Sequence, residues 1–138
     1  MALDVRGVTP LLLVYDIPNS VRFYRDLLGF DIVSTSPSLG EDKFHWVWLR
    51  LGSADLMLND TYESDDDRPP VPESVRIAAH EDTCLYFGCP DVDGAYEELR
   101  RKGIPVKEPL VTPYGMKQMY LRDPDGYNLC FQWSAAGE

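Results

Sequence analysis

Two stretches of this chain are written to one plan. Residues 9 to 33, TPLLLVYDIPNSVRFYRDLLGFDIV, read as strand, aspartate, helix, glycine, strand, and residues 83 to 109, TCLYFGCPDVDGAYEELRRKGIPVKEP, repeat that order. Asp16 and Asp91 stand 75 positions apart and Gly29 and Gly103 stand 74 apart, so one deletion brings the halves into register. Such self-similarity points to a duplicated unit. In the first copy Pro18, Asn19 and Ser20 suit a helix start, and Val21, Tyr24, Leu27 and Leu28 recur at helical spacing. Gly29 can take the left-handed conformation that ends a helix. The spacing predicts a helix over 19–28. In the second copy Asp91 and Asp93 favour a helix N-terminus, and Val92, Ala95, Tyr96 and Leu99 form the apolar stripe. That predicts a helix over 92–102.

Each helix is followed by three strand-like runs: FDIVSTS, KFHWVWLRL and ADLMLND in the first half, IPVKEP, MKQMYLR and YNLCFQW in the second. The chain therefore reads as α+β, two tandem βαβββ modules. Module one covers about residues 7–60, an acidic Pro-rich linker about 61–80, and module two about 81–133, all within a single domain, 1–138. A four-stranded sheet with one helix has one covered face and one bare face. Two modules would bury their bare faces on each other or enclose a concave cavity.

Bulk numbers exclude several functions. Thirteen basic against 23 acidic residues give a formal net charge of -10, which repels phosphate backbones and anionic lipid heads, so neither nucleic acid nor a membrane is an expected partner. The longest apolar run is too short to span a bilayer, and the N-terminus lacks a signal-peptide pattern. Cys84, Cys89 and Cys130 are an odd number without metal-knuckle spacing, which reads as reduced thiols in a cytoplasmic protein.

The elements LLVYDIPNSVRFYRDLLGF, GSADLMLND, DVDGAYEELRRKGIPV and PYGMKQMYLRDPDGYNLCF, spread over roughly residues 8 to 133, resemble the vicinal oxygen chelate superfamily. That group includes glyoxalases, bleomycin-resistance proteins, extradiol dioxygenases and fosfomycin-resistance transferases. The resemblance implies two βαβββ modules around a U-shaped cavity, commonly in a homodimer. Its enzymes usually hold a divalent metal with four residues, and the matching positions here are Thr9, Met57, Cys84 and Cys130. Hard and borderline cations favour carboxylate and imidazole ligands, so this set suits them poorly. Two thiolates and a thioether leave copper(I) or zinc open. The bland alternative makes Cys84 and Cys130 small apolar fillers.

Strand alternation puts Leu12, Val14, Leu56, Leu58, Leu85, Phe87, Leu129 and Phe131 toward the helices. Thr9, Leu11, Leu13, Met57, Cys84, Tyr86, Cys130 and Gln132 then face the cavity, joined by Trp46, Trp48, Gln118 and Tyr120. The candidate ligand-binding set is Trp46, Trp48, Met57, Cys84, Tyr86, Tyr114, Gln118, Tyr120 and Cys130. His45 and His80 lie away from the motif positions, and Asp123, Asp125 and Gly126 read as turn chemistry. No nucleophile and base pair has recognisable spacing. The expectation is a metal-free, cofactor-free protein that sequesters an aromatic or cationic small molecule, with no catalytic residue. The alternative is a lyase, isomerase or dioxygenase of the same superfamily with a non-standard metal site.

Overall fold

The computed structural model describes residues 2–137. The chain forms two compact units, one up to Pro70 and one from Val71. Each holds an open four-stranded sheet.

In the first unit β1 (Leu11–Val14) pairs parallel with β4 (Ala54–Asp60), which pairs antiparallel with β3 (Trp46–Leu51), which pairs with β2 (Asp31–Thr35), giving the order β1-β4-β3-β2. Leu12, Val14, Val47, Leu49, Leu56 and Leu58 project to one side and are buried with Ile17, Val21, Tyr24 and Phe30. Each such side chain contributes about 1.5–3 kcal/mol of burial. Tyr24 meets Phe23 and Phe30 edge-on at 5.1 and 5.6 Å. The helix begins earlier than expected, as α1 (Ile17–Val21), because Asp16 accepts the Asn19 N–H at 3.1 Å and so caps the start. From Arg22 to Leu27 it widens into a π-helix, with the Leu28 N–H donated to the Phe23 carbonyl at 3.2 Å, a feature the apolar spacing does not signal.

The second unit repeats the plan as β5-β8-β7-β6: β5 (Cys84–Gly88), β8 (Asn128–Ser134), β7 (Met116–Arg122) and β6 (Leu110–Val111). The short α2 (Ser74–Ala79) precedes this sheet, and α3 (Val92–Arg101) packs on β7 and β8. Asp91 accepts the Gly94 N–H at 2.9 Å, and a Cβ at Gly94 would lie 2.2 Å from Asp91 Oδ2. Only glycine leaves room for that cap.

One expectation needs correction. The predicted strand IPVKEP is not extended pairing: the fourth strand is the two-residue β6 just beyond it, because Pro105 and Pro109 have no N–H to donate to a ladder. The start of the acidic Pro-rich linker is held by specific bonds. Arg68 places Nη2 at 3.1 and 3.0 Å from the two Asp60 carboxylate oxygens and donates Nε–H to the Tyr15 carbonyl at 2.7 Å. The Tyr15 hydroxyl donates to the Pro69 carbonyl at 2.6 Å. With Asp60 7% and Arg68 14% exposed, this pair ties the segment to the end of sheet one. Asp65–Asp67 adds a 3-10 turn capped by Ser64.

Candidate functional site

The register of sheet one fixes which side chains share its uncovered face. Met57 stands opposite Leu11 on one side and Trp48 on the other, Trp46 opposite Asn59, and Arg50 opposite Asp55. Leu11 and Leu13 are 49% and 38% exposed there. The Arg50 guanidinium lies 5.3 Å over the Trp48 ring and its Nε–H is donated to Asp55 at 2.7 Å. Arg50 holds the Asp55 carboxyl below its ordinary range, with a smaller contribution from the Trp48 indole.

The uncovered face of sheet two has another character. Tyr86 and Tyr120 flank Cys130 through the pairings Tyr86↔Cys130 and Tyr120↔Cys130. Their rings meet edge-on at 6.5 Å with the hydroxyls 3.2 Å apart. The Tyr120 hydroxyl donates to Gln118 Oε1 at 3.3 Å, and Gln118 Nε2 donates to Gln132 Oε1 at 2.8 Å. Cys130 is fully enclosed and Gln118 is 7% exposed, while Tyr86 and Tyr120 remain 56% and 46% exposed. Burial raises the Cys84 and Cys130 thiols.

The four positions at which the superfamily's enzymes usually carry metal ligands do not fit a hard divalent cation such as magnesium or manganese. Thr9 precedes β1, Met57 offers a thioether, and Cys84 and Cys130 offer thiols, with none of the carboxylates or imidazoles such cations favour. Among the described residues no three His, Cys, Asp or Glu side chains gather in a geometry able to hold a metal ion. The cysteines are unbridged.

Of the sequence-derived candidates, Cys84, Tyr86, Gln118, Tyr120 and Cys130 share the face of sheet two, and Trp46, Trp48 and Met57 share the face of sheet one. Tyr114 is off the strands: it sits 70% exposed in the turn before Gly115. His45 is exposed just before β3. His80 belongs to the Asp-Pro-Asp-Gly turn, its ring stacked on Tyr127 at 3.9 Å and its Nδ1–H donated to the Asp125 carbonyl at 2.6 Å. In the same turn Asp123 accepts the Asp125 and Tyr127 N–H groups at 2.9 and 3.0 Å, which is turn chemistry as expected. The candidate set omitted three residues: Gln132, Arg50 and Asp55. Alternation alone finds them, since Gln132 lies two residues from Cys130, Arg50 two from Trp48 and Asp55 two from Met57.

Residues 8–131 match the profile of the Glyoxalase/Bleomycin resistance protein/Dioxygenase superfamily, and the chain belongs to it. Solved structures share the fold. An antibiotic-binding protein from Streptomyces sp. CB03234 is 23% identical, with 96% of this chain and 99% of that one covered at a TM-score of 0.68. A bleomycin-binding protein complexed with bleomycin is 22% identical, covering 94% and 99% at 0.68. A glyoxalase/bleomycin resistance protein/dioxygenase from Nocardioides is 22% identical, covering 99% and 89% at 0.70. A search of curated proteins found no match.

Proposed function

We propose that this member of the superfamily binds an aromatic or cationic small molecule on the uncovered sheet faces and sequesters it without chemistry or metal. The observation that supports this most is the face of sheet two, where half-exposed Tyr86 and Tyr120 stand over a thiol in the position of a usual metal ligand. Aromatic rings that are ordered yet exposed offer stacking area at low entropic cost. Two solved relatives are, by their titles, an antibiotic-binding protein and a bleomycin-binding protein, which fits the same reading.

The test is a titration followed by intrinsic fluorescence. Of the three tryptophans, Trp46 and Trp48 lie on the uncovered face of sheet one, whereas Trp133 alternates to the covered face of sheet two. A panel of planar aromatic and cationic compounds is expected to change the emission saturably, with a smaller change in Trp46→Phe and Trp48→Phe. Silence across the panel contradicts the reading.

A further inference from the structure

The hydrogen bonds on sheet two run one way, and that direction specifies what a ligand must offer. A tyrosine hydroxyl has one proton. Tyr120 gives its proton to Gln118 Oε1, so at the 3.2 Å contact with Tyr86 it accepts and Tyr86 donates. Gln118 in turn donates to Gln132 Oε1. Among the described residues the chain Tyr86, Tyr120, Gln118, Gln132 thus ends in lone pairs on the Tyr86 oxygen, whose one further neighbour is the Cys84 thiol, and in unengaged N–H groups on Gln132 Nε2. The first end asks for a donor and the second for an acceptor, with ring surface between.

Charge on this face is confined to one ion pair. The strand partners that share it are Cys84, Leu110, Asn128, Gln132, Met116 and Ser134, and among the described residues the charged strand residue on it is Arg122, opposite Asn128 and already paired with Glu81 at 3.0 Å. A cation would lose hydration and, among the described residues, meet no carboxylate that is not already paired with Arg122, a cost that stacking on tyrosine offsets only in part. On sheet one the Trp48 ring already has Arg50 over it, and Arg50 has Asp55. We infer that the Tyr86–Tyr120–Gln118–Gln132 chain selects an uncharged, planar molecule of the lactam or aromatic-ketone class, with an N–H donor and a carbonyl acceptor, over a cation of the same shape. This rests on the binding reading above and narrows it.

Isothermal titration of the full chain with four probes of one ring skeleton tests it: acridone, N-methylacridone, the aminoacridinium cation and anthracene. Acridone is expected to bind about tenfold more tightly than aminoacridinium, and N-methylation to weaken it about fivefold, as loss of one hydrogen bond would. Tyr86→Phe, at an exposed position, and Gln132→Met should each lower acridone affinity about fivefold and leave anthracene unchanged, with unaltered melting as the folding control. Aminoacridinium binding as tightly as acridone overturns the inference and leaves the binding reading standing. Variants that weaken anthracene as much as acridone also overturn it, since a packing effect would then explain the loss. If the four probes are silent while the fluorescence panel yields a ligand, the inference alone fails; silence in both sinks the reading beneath it.

Discussion

The two units share a plan and differ in how they handle charge. Unit one is stitched by ion pairs: Arg68 with Asp60, Arg25 with Asp42 at 2.7 Å, and Arg50 with Asp55 beneath its own cation–π contact. The uncovered face of unit two instead carries, apart from the Arg122–Glu81 pair at its end, neutral phenols, amides and thiols joined by hydrogen bonds. Asp16 and Asp91 cap their helices alike, and Gly29 and Gly103 end them alike at φ 96° and 79°. Topology therefore depends on the residues the halves share. The chemistry each uncovered face can offer depends on residues they do not.

The sharpest test of this difference lies in the hairpins that close each sheet. Gly52, between β3 and β4, has φ 58° and open space around it, whereas Gly126, between β7 and β8, has φ 86° and a Cβ there would lie 2.9 Å from both Cγ2 and the carbonyl oxygen of Ile77. Gly126→Ala should cost about 3 kcal/mol, backbone strain plus overpacking, against about 1 kcal/mol for Gly52→Ala, read by urea unfolding. Equal losses would mean that α2 does not clamp the turn.

Next comes the charge stitching. Arg68→Met leaves Asp60 nearly buried without its partner and should cost about 2 kcal/mol. Replacing Asp60 by Leu in the same chain should recover most of that loss. A double variant no better than the single one would show that Arg68 acts through Tyr15 instead, whose carbonyl it also bonds.

The smallest effect is pH-dependent. The hydrogen bonds from Arg25 hold the Asp42 carboxyl below its ordinary value. A depressed carboxylate adds stability above its unfolded-state pKa of about 4, and that increment disappears as pH falls through the lower folded value. Asp42→Asn should therefore lose less than about 1 kcal/mol at neutral pH, with the gap to the parent closing below about pH 4 in acid unfolding curves. A gap that widens in acid would reverse the assignment.

The repeat made the topology readable because each signal is local: a capping aspartate, a terminating glycine, two-residue alternation. Face assignments followed from the same alternation, which is why Trp48, Met57, Tyr86 and Cys130 share faces with the expected partners. Contacts between side chains of different strands were not legible. The Arg50–Trp48–Asp55 cluster, the tyrosine–glutamine chain and the Arg68 clasp join residues whose sequence spacing carries no signal of its own. The π-helix was hidden for a related reason, since apolar spacing does not register one added residue in a turn.

On the proposed reading, the uncovered faces bind a ligand without help from a metal at Thr9, Met57, Cys84 and Cys130. Affinity for a fluorescence-panel ligand, measured by isothermal titration before and after dialysis against a chelator and again with magnesium, manganese, iron(II) or zinc restored, tests it most directly. The same affinity is expected in every arm. A loss on chelation that one of these metals restores would contradict it.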